Sequence, residues 1–408
     1  MPTQKRHAKQ FLVILFIVFV GFLGISMPYL IFPALFLNPD YTILPSHWEE
    51  STRAILLGIT LAAYPFGQFI GSPILGSLSD DYGRKPLMSG SLFIAALCNL
   101  LTGFATEWQH LGFLIFSRFV AGIMEGNIAI ARGMAADMTT ISKHESFGKI
   151  NAVISIAFLL GPLVGGILTD KNLWGGLTIS FPFYFICCLF FVLSVVAALI
   201  LEGTTIDPSK NAKTFLQRIN LSKRLSELFL NRRLKFLLIT STCFTLAADI
   251  FYEFGPVYLT IKWNLGPSQM IMFNAALCAG LAIGNGFLPK FFSTRFSKRF
   301  GIVCSTAGLA IFLIGIISVN SAYLIFLLFG LAGLMIGIAV TLLTVKISNS
   351  VSDDIQGEVM GVQLALRVLG DAIICLFGGL LLLVSSKLII VFAAFTSLAA
   401  CGYYIRKL

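Results

Sequence analysis

"GSLSDDYGRKPL", residues 76–87, packs Asp80, Asp81, Arg84 and Lys85 into six positions of a chain that is 57% hydrophobic and only 12% charged. On either side of it the apolar runs last about 20 residues, the length of helix that crosses a hydrocarbon layer of about 30 Å. A soluble α/β enzyme would bury such residues in runs of about 4–8 between charged helix faces. The mean hydropathy of +0.89 and the 37 glycines among 408 residues suit closely packed membrane helices. The stretch is therefore a polar turn between two spans of a polytopic membrane protein.

Working outward from this turn, spans are expected near 11–37, 52–78, 86–106, 110–136, 147–169, 178–201, 235–261, 267–289, 300–319, 322–346, 356–383 and 385–405. The first is too long for a signal-peptide core and lacks a small-residue cleavage site, so it reads as a retained span. Only 202–234 is a long connection. Basic and polar, it is the expected linker between a six-helix half at 1–201 and another at 235–408; its Thr214–Leu230 part has helical apolar spacing that suits the membrane surface. With both termini inside, about 22 Lys and Arg fall on the inner side and four (Arg53, Lys171, Lys262, Lys387) on the outer, as the positive-inside rule requires. The net charge of +10 is thus a topology signal and a match to anionic inner-leaflet lipid; cations spread over separate loops do not make a nucleic-acid surface. The eight cysteines all fall within spans without CxxC spacing, which points to packing and neither disulfide nor metal.

The turn at 80–85 has a worn counterpart. A shift of 214 residues lays "DDYGRK" over "TRFSKR" (294–299), with the aromatic and basic positions kept and both aspartates and the glycine lost. "GPLVGG" (161–166) meets "ICLFGG" (374–379) at a shift of 213. Two matches at nearly one offset suggest two parallel six-span repeats, related by a pseudo-two-fold axis, with a substrate site at the midplane.

These residues carry a family resemblance. Gly76, Asp80, Gly83, Arg84 and Lys85 stand at the spacing of the signature loop of the major facilitator superfamily. "RFVAG" (118–122) resembles that superfamily's span-4 arginine motif, and "AFLLGPLVGG" (157–166) its span-5 antiporter motif. The wider context is most similar to the drug:proton antiporter branch that includes tetracycline-type exporters. The resemblance implies an all-α fold of twelve transmembrane helices, a monomer in the cell (inner) membrane, and alternating access. It also makes span 11, opening near Gln356, the neighbour of the signature loop.

In that loop Gly83 allows a sharp turn without a Cβ clash. Asp80 can accept from the exposed N–H groups at a neighbouring helix start, and Asp137 is the candidate anion for Arg84. Together these would form a conformational latch that breaks as the halves rock. Gly161, Gly165 and Gly166 permit close helix approach, Pro162 bends the helix, and the set is expected to seal against leakage.

Ionisable residues at membrane depth are the strongest functional pointers, because each is costly unless paired or wetted. Span 4 places Arg118, Glu125 and Arg132 at steps of seven, one face of a continuous helix; Arg118 can hold Glu125 ionised or anchor an anion. Span 7 carries Asp249 and Glu253, four apart, where mutual repulsion lets one exchange a proton. Asp249, nearer mid-span, ranks first. Span 11 carries Arg367 and Asp371, as an intrahelical pair or as a bridge to span 7 or span 4. Span 1 has no acidic residue, so proton coupling would rest on spans 4, 7 and 11. No HExxH, GxSxG or Walker-type loop is present, so neither catalysis nor ATP is expected. The expectation is a cofactor-free, proton-driven exporter of a small organic or amphipathic molecule. A facilitator or importer of an anionic metabolite or siderophore is the alternative.

Overall fold

The computed structural model describes residues 2–39, 41, 43–45, 47–137, 143–170, 178–203, 231–286, 288–351 and 353–406. The central part of the expected linker, with its Thr214–Leu230 segment, lies outside them, as does Lys171. The helices of the N-terminal part are α1 (Pro2–Ser26), α2 (Pro28–Leu37), α3 (Glu50–Tyr82), α4 (Arg84–Glu107), α5 (Leu111–Met124), α6 (Asn127–Asp137), α7 (Lys143–Leu168) and α8 (Phe181–Ile200). The C-terminal part has α9 (Arg232–Trp263), α10 (Ile271–Gly286), α11 (Leu288–Arg295), α12 (Lys298–Ser318), α13 (Ala322–Ser348), α14 (Asp353–Leu382) and α15 (Ser386–Arg406). Among the described residues, ten helical stretches are long and apolar enough to cross a membrane, two of them running through α1–α2 (Arg6–Leu37) and α5–α6 (Leu111–Ala135), and shorter apolar helices stand at Ala152–Leu168 and Ile271–Gly286, the places of the fifth and eighth expected spans. Among the described residues there is no strand. This is an all-α, multi-pass membrane fold, the architecture in which a spanning segment can satisfy its backbone polar groups within its own helix.

The chain divides into two units, residues 1–35, 41–46 and 59–220, and residues 36–40, 47–58 and 221–408. Within each, small residues set the helix spacing. In the first unit, Gly67 and Gly71 of α3 lie on the backbone of Phe119 and Ile123 in α5, while Gly122 lies on Tyr64 O and Gly126 on Gly71 O. In the second unit, Gly280 and Gly284 of α10 lie on Gly330 O and Leu334 O of α13, and Gly333 and Gly337 return the contact on Leu277 O and Leu281 O. A Cβ at any of these positions would collide with backbone. Gly280 and Gly284 follow Gly67 and Gly71 by 213 residues, the repeat offset, so the same seam is built twice. Buried hydroxyls add interhelical bonds: Thr102 to Ser117 at 2.8 Å between α4 and α5, and Ser397 to Thr306 O at 2.7 Å between α15 and α12. In lipid such bonds and close packing replace the hydrophobic drive.

Candidate functional site

The signature loop turns at Gly83, whose φ of 92° and ψ of 143° place it where residues with a Cβ are strained. Arg84 opens α4, and its guanidinium lies directly on Gly133 of α6. Gly76 faces Ala129 of α6, where a Cβ would make ordinary contact at 3.4 Å. Lys85 is half-buried. The side chains of Asp80 and Asp137 lie outside the described residues. In α7, Gly161 seats on Ser26 and Leu23 O of α1, and Gly165 on Met27, so this motif packs within the first unit. Gly166 and Pro162 are buried beside them.

The fourth span is not one continuous helix. α5 begins at His110, whose Nδ1 accepts from Phe113 N, and ends at Glu125. Gly126 N then reaches back only three residues, to Ile123 O, and α6 restarts at Asn127. The seven-residue face drawn through Arg118, Glu125 and Arg132 assumed a regular helix, and this turn interrupts it before Arg132. Glu125 is 1% exposed and is held by Tyr64, whose hydroxyl donates to Oε2 at 3.0 Å. Gly21 of α1 leaves the room into which the other carboxylate oxygen projects. Arg118, 3% exposed, lies over the Tyr64 ring at 4.4 Å and near Phe32 at 5.6 Å. Tyr64 therefore ties the cation to the carboxylate, and no salt bridge joins Arg118 to Glu125 among the described residues.

The second unit carries a ladder of polar rungs between α9 and α14, which run in the same sense. Gln363 donates to Ser241 Oγ at 2.7 Å. Four residues on, Arg367 grips Asp249 with two parallel bonds, Nε to Oδ2 at 2.8 Å and Nη2 to Oδ1 at 2.5 Å, the fork geometry that suits a carboxylate. Gly370 makes room for Leu246 between rungs. Cys375 then donates its thiol to Glu253 Oε2 at 2.6 Å. Asp371 sits between the two charged rungs, with Oδ1 buried and lacking a hydrogen-bond partner. The ligating atoms of Glu253, Asp371 and Cys375 all lie within 4.8 Å of one another. Arg367 remains 36% exposed at its side chain while Asp249 is 5% exposed, so the ladder is dry on the α9 side and open at the guanidinium.

Asp249, Glu253, Arg367 and Asp371 are thus brought together, and Arg118 and Glu125 meet through Tyr64. Sequence reasoning passed over Tyr64 and Cys375. A tyrosine at span depth needs a partner for its hydroxyl, and that signal was available. A lone cysteine at depth reads as packing, and only the position of Glu253 gives Cys375 an acceptor.

Comparison with known proteins fits this geometry. The family model of the Major Facilitator Superfamily matches residues 14–374. The chain is 32% identical over 197 residues to the tetracycline resistance protein, class H, of Pasteurella multocida, covering 48% of this chain and 45% of that protein. It is 30% identical over 218 residues to multidrug resistance protein 2 of Bacillus subtilis (strain 168), covering 53% and 50%. The chain thus spans about half the length of these curated relatives. It is 26% identical to the quinolone resistance protein NorA of Staphylococcus aureus over 72% of this chain and 68% of that protein. Among solved structures, a bacterial homologue of the human lysosomal transporter Spinster superposes with a TM-score of 0.75 at 15% identity, over 98% and 96% of the two chains. The nucleoside transporter NupG gives 0.70 at 14% identity, over 97% and 99%. The match across the spans, the loop at Gly83 and the all-helical fold agree: this chain belongs to the major facilitator superfamily.

Proposed function

We propose that the chain exports a small organic or amphipathic molecule across the cell (inner) membrane by alternating access, in exchange for protons, with both termini cytoplasmic. The observation that carries this reading is the α9–α14 ladder, where Arg367 grips Asp249 and the carboxylates of Glu253 and Asp371 lie within 4.8 Å of one another in a largely buried setting. Asp249 is gripped at both oxygens by Arg367 in the fork geometry that suits a carboxylate. The carboxylates of Asp371 and Glu253 lie within 4.8 Å of one another, and two carboxylates so placed cannot both stay charged cheaply, so one holds a proton. The exchangeable proton is therefore assigned to the Asp371–Glu253 pair, with Cys375 fixing Glu253. When Asp371 loses its proton it competes with Asp249 for Arg367, which changes the rungs between α9 and α14; that is how proton release would be felt by the helices. Arg118, Tyr64 and Glu125 form the corresponding polar element of the first unit. The names of the relatives, which speak of tetracycline, multidrug and quinolone resistance, support a drug-like client class.

Reconstituted vesicles given a pH jump test the assignment, with an amphipathic dye as the probe substrate and a pH reporter inside. Substrate-driven proton movement should fall at least tenfold in Asp371→Asn and Glu253→Gln. Asp249→Asn should lose transport, because Arg367 loses the carboxylate it grips at both oxygens. If proton movement and transport survive both Asp371→Asn and Glu253→Gln, the ladder does not carry the coupling.

A further inference from the structure

The worn copy of the signature loop, "TRFSKR" at 294–299, lacks the aspartates and the glycine of the first copy, and export leaves it without a role. Its surroundings give it one. Lys298 and Arg299 open α12, and Arg232 and Arg233 open α9; neither helix has an acidic residue in its first turn. Cations at helix N-termini oppose the dipole, which favours anions there. All four are exposed. Lys346, in the last turn of α13, donates to the Tyr404 hydroxyl of α15 at 2.5 Å. Phe236, one turn beyond Arg232, stacks on Tyr404 at 5.7 Å, and Gly301, two residues beyond Arg299, lies on Leu342, one turn before Lys346. These contacts gather the cations of three helix ends, and Lys346 is within electrostatic reach of Arg233, Lys298 and Arg299. No carboxylate pairs with Arg233, Lys298 or Arg299 among the described residues.

Beside this cluster stands an aromatic group. Phe291, Phe296 and Phe300 are about half exposed, and Phe296 meets Phe291 at 6.1 Å, Phe292 at 6.0 Å and Phe300 at 5.2 Å. Rings at the ends of spans belong at the boundary between headgroups and acyl chains. A soluble phosphate compound would use the cations and leave the rings unused; a lipid uses both. We propose that this end of the second unit binds the phosphate headgroup of an anionic membrane phospholipid, with Arg233, Lys298, Arg299 and Lys346 around the phosphate and Phe291, Phe296 and Phe300 against the upper acyl chains.

The test uses the full chain, stripped of lipid in neutral detergent, with dioleoylphosphatidylglycerol as the probe and binding read by native mass spectrometry. One saturable phosphatidylglycerol per chain is expected, preferred over dioleoylphosphatidylcholine. K298Q/R299Q should weaken it about 30-fold, and the charge-keeping K298R/R299K should leave it within about threefold. K9Q/K149Q, which removes two exposed cations of the first unit, should leave it unchanged. If K298Q/R299Q does not purify as a single species, R299Q is read instead, with about a fivefold loss expected. The proposal is overturned if the glutamine variants bind like the parent, or if K9Q/K149Q weakens binding as much. Displacement of the lipid by equimolar glycerol 3-phosphate would also overturn it, by making this a soluble-phosphate site.

Discussion

Tyr64 does two jobs with one side chain. Its ring lies under the guanidinium of Arg118 and its hydroxyl holds Glu125. Tyr64→Phe separates them: it keeps the ring and strips the carboxylate of its donor. Leaving a buried acceptor unpaired should cost about 1–3 kcal/mol, read as a fall in thermal stability of the purified protein, whereas Tyr64→Leu should cost more because the cation also loses its platform. How legible such sites are in the sequence depends on whether a residue's meaning is local. Asp249, Glu253, Arg367 and Asp371 stand out in apolar spans because any charge at depth demands a reason. Whether Arg367 pairs along its own helix or across to another depends on the rotation of α14 about its axis, and spacing alone leaves that open. The structure gives Arg367 to Asp249 and leaves Asp371 Oδ1 without a partner.

At the scale of elements, the glycine seams govern which helices touch. Gly280 on α10 has Gly330 O where its Cβ would be, whereas Gly90 on α4 has nothing within 4 Å of that position. Gly280→Ala must push α10 and α13 apart and should destabilise by about 1–3 kcal/mol. Gly90→Ala, in an open helix interior, should be neutral or stabilising by about 0.5–1 kcal/mol. Thermal melts of the two variants side by side decide it. The span positions were legible because length and apolar content suffice to mark a membrane helix. The break at Glu125–Gly126 was not, because a glutamate followed by glycine is compatible with a continuous helix until Tyr64 and Gly21 are brought against it. The repeat was visible at the loop and at "GPLVGG"; its clearest expression, the two seams, lies in glycines that a count treats as composition.

For the whole molecule, the proposed latch at the signature loop is where a change in one element would become a change of state. The glycine-only turn at Gly83 and the seat of Arg84 on Gly133 hold the start of α4 against α6. The proposed latch adds Asp80 and Asp137 to Gly76, Gly83, Arg84 and Lys85. Asp80→Asn and Arg84→Ala should each cut the transport rate in vesicles about tenfold or more while the protein still inserts and purifies. Unimpaired transport in both would reduce the stretch to a topology signal. The family and the helical architecture could be read from motif and hydropathy together, because both are written in residue types. The client could not, because an apolar cavity for an amphipathic molecule uses the same phenylalanines and leucines that pack helices and face lipid.

The ladder between α9 and α14 also sets an arithmetic limit. Counted by formal charge alone, three carboxylates and one guanidinium take up no more than two protons before the ladder itself carries net positive charge. On the proposed coupling, each proton exchanged per client molecule adds one proton's electrochemical potential difference, pH gradient and membrane potential together, to the drive for export. The stoichiometry of that proposed exchange, and with it the steepest gradient it would sustain, is then set by the acids of two helices.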